Sequence, residues 1–369
     1  MSGLFPLVFL FAGLCFLLPA GVQGTGPSFR AALPGRVYRF PEDHFVHPRF
    51  RTEWWYYTGH LQTAEGRSYG YELTFFRHRF GFAEERKSRW AADTLYFAHF
   101  ALTDEGAGTF FYAERTSRPI FGQAGGATDR YRVWVGDWSV QGEEEVHHLQ
   151  AREQRYAIDL FLTPQKPPVI HGEEGISRKG TAPENASHYY SYTRMQTRGT
   201  LWIGGKPLAV TGLSWMDHEF MSNQLEPDQV GWDWFSMQLD NRQEIMLYLI
   251  RYQDPQRPPF ASGTLVYADG TWRHLSAGDF SVQVLDWWTS AKSGARYPIR
   301  WRVTVPAEAI RLTLTPTVKD QELDTSASTG VIYWEGSVRI TGTRRGEPLA
   351  GKGYVEMTGY ASLLTRRMD

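Results

Sequence analysis

Glu53-Trp54-Trp55-Tyr56-Tyr57-Thr58-Gly59-His60-Leu61, followed after a turn by Tyr71-Glu72-Leu73-Thr74-Phe75-Phe76-Arg77, is the stretch whose reading decides the fold. Tyr69, Tyr71, Leu73 and Phe75 share one face of the second run, and Gly70, Glu72 and Thr74 share the other. That period of two belongs to a strand buried on one face. The arrangement then returns. Asp233-Trp234 opens a run ending at Leu239, Asp240-Asn241-Arg242 turns it, and Ile245 to Arg251 closes it. Each unit reads acid-Trp, strand, turn, strand, Arg.

A second pattern also repeats, in the same order. Gly199 to Gly204 leads to Pro207-Leu208-Ala209, Gly212 and the acidic Asp217, while Gly336 to Thr341 leads to Pro348-Leu349-Ala350, Gly353 and Glu356. Internal repetition at this scale predicts a duplicated unit, with Trp54 equivalent to Trp234 and Pro207 to Pro348. Turn signals such as Glu65-Gly66, Gly204-Gly205 and Asp269-Gly270 separate short alternating runs, and no long stripe of period 3.6 with caps interrupts them. The expected fold class is all-β, built as two tandem antiparallel β-barrel domains, because closure removes exposed edges. The first domain is set at 37–225 and the second at 226–369, with 1–24 as a leader. Residues 164–187, rich in Pro and Gly, read as a loop inside the first domain, and loops of that length are often functional.

The leader carries no charged side chain, and Leu4 to Leu18 is almost wholly apolar. It reads as a cleaved secretory signal ending at Val22-Gln23-Gly24, with an uncleaved anchor as the alternative. The one cysteine, Cys15, falls inside it, so the mature chain is expected to lack a thiol nucleophile, a disulfide and a Cys-ligated metal. Lys+Arg 39 against Asp+Glu 40 leaves no basic excess, which argues against nucleic acid as a partner. An exported, periplasmic protein is the expectation.

Several motifs resemble a known family. They are Glu53 to Gly59, Leu73 to Arg77, Tyr190-Ser191-Tyr192-Thr193-Arg194, Gly212 to Glu219, Gly231 to Phe235, Tyr333 to Gly336 and Gly353 to Tyr360. In order and spacing they are similar to the lipocalin-like carotenoid 1,2-hydratases and the secreted AttH-type proteins, closer to the AttH-type branch. The resemblance implies two lipocalin-like barrels, an aromatic-lined ligand site, no metal and no organic cofactor. It also brings in an ABC-type export system as a candidate partner.

The chemistry that such a chain could perform rests on Asp217-His218-Glu219, between Trp215 and Phe220. Hydration of an unactivated alkene needs a proton donor, and a carboxylic acid in an apolar site holds its proton near neutral pH. Aromatic faces stabilise a carbocation, and Trp215, Trp232 and Trp234, with Tyr71, Phe75 and Tyr192, are the candidate ligand-binding side chains. In a strand, Asp217 and Glu219 share one face and His218 takes the other. The structural alternative is that these acids cap backbone amides or pair with Arg, which is the expected role of Glu53 with Arg77, Asp233 with Arg251, and Glu335. His78 and His99 are expected to point into the first barrel as satisfied core histidines. His44, His47 and His60 match no metal-binding spacing. Two functions are therefore expected: a carrier of a hydrophobic lipid or isoprenoid in a barrel, or a cofactor-free hydratase.

Overall fold

The computed structural model describes residues 28–81, 93–223 and 225–361. The leader expected at 1–24 and the end of the chain from 362 lie outside these residues. Everything described is strand or turn apart from two single 3-10 turns, Glu42–His44 and Pro306–Glu308. The strands form two antiparallel sheets, each curled round its own core into a nearly closed barrel.

The first sheet carries Thr52–Gln62 between Ser68–Arg79 and Lys206–Met221. Beyond Lys206–Met221 lie Ala186–Ile203, Tyr156–Pro164 and Val146–Arg152, and Thr94–Asp104 and Thr109–Ser117 lie beyond Ser68–Arg79. In the second sheet Gln229–Leu239 lies between Glu244–Tyr252 and Glu347–Met357, followed outward by Phe260–Val266 on one side and Val331–Arg344 on the other. In both, the opening strand pairs with the last strand of its own unit.

The registers carry the duplication to single residues. Trp54 faces Glu219 and Phe76 across its two neighbours, and Trp234 faces Glu356 and Tyr248, so the register counterpart of Glu356 is Glu219 and not the Asp217 matched from the sequence. Pro207 and Pro348 are each the second residue of a returning hairpin strand. The Arg residues do not match so closely. Arg77 lies opposite Glu53, whereas Arg251 lies opposite Gly231, two positions before Asp233.

Alternation decides which face each side chain takes. Trp55, Tyr57, Leu61, Tyr71, Leu73 and Phe75 fill the first barrel, and Phe235, Leu247, Trp301 and Trp334 fill the second. Interiors of that kind are close-packed, so the barrels act as solid supports. The outward faces of the two sheets then meet. Tyr56, Tyr189, Trp215, Trp234, Met246, Tyr248 and Tyr354 form a buried cluster that belongs to both domains. Gln238 Nε2 donates across this seam to the carbonyls of Thr193 and Ser214 at 2.8 and 3.0 Å. Lys166 and Arg194 both reach over to Glu244, at 2.7 and 2.6 Å. At Gly70 the sheets come so close that a Cβ would lie 2.8 Å from that of Ser337.

The segment expected to be a plain loop is partly sheet. Val169–Ile170 and Ser177–Arg178 both add onto Ala186–Ile203. His99 also departs from expectation: its ring points out of the first barrel, and Nδ1 meets the Tyr333 hydroxyl at 2.8 Å. The reason is parity, because Ala98 and Phe100 on either side take the interior. His78 likewise sits on the outward face, against Thr52 Oγ1 at 3.0 Å.

Candidate functional site

Five seam-facing side chains converge where two long strands run side by side. Ser191 lies opposite Asp217 and Tyr189 opposite Glu219 in the hairpin Ala186–Ile203 and Lys206–Met221. Trp215 stands two residues before Asp217, on the same face. The Asp217 carboxylate accepts from the Tyr189 hydroxyl at 2.6 Å, from Trp215 Nε1 at 2.6 Å, and from the Ser191 hydroxyl. The second domain completes the shell. Trp234 Nε1 donates to the Tyr189 hydroxyl at 3.1 Å, and the Trp234 ring meets Trp215 edge-on at 6.1 Å and Tyr56 at 5.2 Å.

Among the described residues no Arg and no backbone amide is bonded to Asp217, so the capping role weighed from the sequence is not the one it plays. Burial, 4% exposed, favours the neutral acid, and the three donors favour the carboxylate. Burial is the larger effect and sets the group at about 7. Glu356, across the seam, is also pushed to about 7 by burial, with the nearby Asp217 and Glu219 acting in the same sense, and its Oε2 accepts from Trp232 Nε1 at 3.0 Å. Glu72 is pushed to about 8 by burial. Glu335 is raised well above the usual range by burial and by its neighbours Glu356 and Glu72. Its Oε1 accepts from the Tyr56 hydroxyl at 2.8 Å, while its Oε2 has no partner. Among the described residues neither a backbone amide nor an Arg is bonded to Glu335, so the structural role expected of it is not the one seen.

The structure separates His218 from its neighbours in sequence. Asp217 and Glu219 face the seam, whereas His218 turns into the first barrel, stacks on Trp55 at 4.8 Å and reaches Glu53 through Nε2 at 3.0 Å. Its place is in a structural network. Glu53 also receives Arg77 Nε at 3.1 Å and His47 Nδ1 at 2.7 Å. Asp233 takes Arg251 Nε at 3.2 Å in the second domain. His47, Glu53 and His218 sit within reach of a common cation. Their atoms are already matched in hydrogen bonds, and Arg77 and Arg36 supply positive charge, Arg36 at 3.0 Å from His47 Nε2. In this structure the cluster is a hydrogen-bonded network. Glu219 pairs with Lys179 Nζ at 3.0 Å, and its Oε2 is buried without a partner.

Of the candidate ligand-binding side chains, Trp215, Trp232 and Trp234 gather at the seam. Tyr71, Phe75 and Tyr192 do not; they belong to the core of the first barrel. Tyr189, Ser191, Glu356 and Glu72 were missed as site residues. The parity of Tyr190-Ser191-Tyr192 was the available signal, because a partner strand carrying Asp217 must present Ser191 on the same face. A cavity of about 130 Å³ opens on this seam, lined by Gly172, Ile176, Tyr248, Phe260, Ser262 and His274 among others. Tyr248 belongs both to this lining and to the cluster holding Trp215 and Trp234.

The family profile described as AttH-like matches residues 31–360. The chain belongs to the AttH-like family. A crystal structure of a candidate AttH from Nitrosomonas europaea is 36% identical to this AttH-like chain. It covers 90% of this chain and 100% of that one, with a TM-score of 0.82. Kievitone hydratase from Nectria haematococca has the same fold at 14% identity and a TM-score of 0.71, over 91% of this chain and 98% of that one. CghA is similar at 12% identity and a TM-score of 0.52, over 92% and 97%. No curated protein matches the chain.

Proposed function

We propose that this AttH-like protein is a cofactor-free hydratase that adds water to an apolar alkene, with Asp217 as the acid. The observation that carries the reading is a buried carboxyl group, set near neutrality by burial, that accepts from the Trp215 indole and, through the Tyr189 hydroxyl, is joined to that of Trp234. A group so placed is protonated in a useful fraction at pH 7 and still gives its proton up readily. Transfer from Asp217 to one alkene carbon forms a C–H bond and breaks the π bond. The carbocation left on the other carbon faces indole rings, whose quadrupole favours positive charge. Water adds to it, and the extra proton of the oxonium passes to a seam carboxylate, for which Glu356 on the facing strand is the candidate. The kievitone hydratase likeness in fold agrees with this class of reaction.

A carrier holding lipid inside a barrel is less well supported, because both interiors are filled by buried side chains. The charge-free apolar start of the sequence supports export to the periplasm, where an apolar alkene would be met at a membrane surface. An ABC-type permease stands as a partner to be tested by co-purification.

The test is incubation with squalene, geranylgeraniol or lycopene in oxygen-18 water, with products read by mass. The expected result is an alcohol carrying the heavy oxygen, and Asp217→Asn should lower its rate by roughly 10²–10⁴-fold while the protein still melts near the wild-type temperature. A wild-type protein that converts none of these alkenes yet co-purifies with bound lipid would establish the carrier instead.

A further inference from the structure

Asp217 has to be reloaded with a proton after each transfer, and the structure contains a path for that proton that the seam chemistry does not otherwise use. His171 lies in the segment expected to be a loop. Its backbone N–H bonds to the Tyr189 carbonyl at 2.9 Å, extending the short ladder of Val169–Ile170 and placing the ring on the seam face. The ring is wholly buried. His171 Nε2 lies 2.6 Å from Ser191 Oγ, and Nδ1 lies 2.8 Å from Thr264 Oγ1 of the second domain.

The hydrogen-bond directions follow from donor bookkeeping. The Ser191 hydroxyl proton points at Asp217, so Ser191 must accept from His171 Nε2–H. His171 Nδ1 then accepts from the Thr264 hydroxyl. The row Thr264, His171, Ser191, Asp217 is thus an unbroken series of donors all pointing towards the carboxylate. Its far end adjoins the seam cavity. Thr264 is the register partner of His274, which lines that cavity and has a buried Nδ1 with no partner. Gly172, next to His171, lines it too.

We infer that His171 and Ser191 form a proton wire that reloads Asp217 from the seam cavity. The inference rests on the reading of Asp217 as the acid. The step balances without any other reagent. Nδ1 takes a proton from Thr264, which is resupplied from water in the cavity. Nε2 gives its proton to Ser191 Oγ, and Ser191 gives its own to Asp217. Each intermediate atom gains one proton and loses one, and rotation of the two hydroxyls with exchange of the ring tautomer resets the row. Burial disfavours the charged ring, with the nearby Lys179 and His274 acting in the same sense, and a neutral imidazole passes protons without storing one. The proton therefore enters from the cavity side, while the oxonium proton leaves on the Glu356 side.

The experiment follows the carbonyl stretch of protonated Asp217 in the full chain by rapid-mixing infrared spectroscopy, after a jump from alkaline to mildly acidic buffer. The band is identified as the one lost in Asp217→Asn. In the wild type it should appear within the mixing time. In His171→Gln it should appear roughly a hundredfold more slowly, with melting temperature and band position unchanged, and free imidazole should restore the rate in His171→Gly. A wild-type rate in His171→Gln overturns the wire. Slowing that imidazole does not relieve, accompanied by a shifted band, reduces His171 to a positioning residue and also overturns it. If Asp217→Asn removes no band, Asp217 is not protonated in this range, and the acid reading fails together with the wire.

Discussion

At the scale of single residues, the two acid–Arg pairs read from the sequence differ in weight. Glu53 is wholly buried and holds Arg77, His47 and His218 at once. Asp233 and Arg251 keep partial contact with water, at 13% and 23% side-chain exposure. Glu53→Gln should therefore lower stability by about 3–5 kcal/mol, because it leaves a buried guanidinium without its counter-charge. Arg251→Met should cost less, about 1–3 kcal/mol, by leaving Asp233 and the Thr358 carbonyl without this donor. Urea unfolding of the two variants checks the order. Sequence reading could name the partners because acid-Trp and Arg recur at fixed places. It could not weigh them, since burial depends on the other strands. The same limit applied to Asp217: parity puts it on one face of its strand with Glu219 but does not say what covers that face, and its three donors come from Tyr189, Ser191 and Trp215 in an arrangement that only the hairpin register creates.

At the scale of elements, one hairpin carries nearly the whole candidate site. Ala186–Ile203 brings Tyr189 and Ser191, and Lys206–Met221 brings Trp215, Asp217 and Glu219. Its turn, Gly204-Gly205, has φ of 56° and 78°, the left-handed pair that a two-residue hairpin turn requires. Replacement by Ala-Ala should cost about 1–2 kcal/mol per position, and replacement by Asn-Gly should be close to neutral, as thermal melting would show. The turn was legible because Gly-Gly between alternating runs has few other uses. The segment 164–187 was not, because the two-residue strands Val169–Ile170 and Ser177–Arg178 are too short to show a period. It is that segment which delivers His171 and Lys179 to the seam.

At the scale of the whole molecule, the seam sets how stability depends on pH. Asp217, Glu356 and Glu72 are raised by burial to about 7, 7 and 8 from ordinary values near 4. Their contribution is full below about pH 4 and is lost as pH rises through those folded values. The buried rings of His99 and His147, held to about 3 by burial, act in the opposite sense. Their contribution is complete above about pH 6.5 and is lost on acidification. Stability should therefore fall between about pH 6.5 and 8, where the raised carboxyl groups change and His47, raised against its burial by Glu53, acts in the same sense, by up to about 1.4 kcal/mol per pH unit for each group. Glu72→Gln should flatten that slope in urea midpoints taken across the range. Gly70→Val, which forces a side chain against Ser337, should loosen the two domains and expose seam tryptophans to a fluorescence quencher. Duplication was visible in the repeated motifs, but nothing in a linear pattern says that two barrels will join by their outer walls. The closeness of the sheets at Gly70 has a consequence for inheritance. Neither half is a miniature of the whole: each, made alone, would present to water a wall of indoles and acids that evolved to be covered. The smallest unit that selection can keep is thus the pair, and two halves produced as separate polypeptides in one cell should find each other or else be degraded.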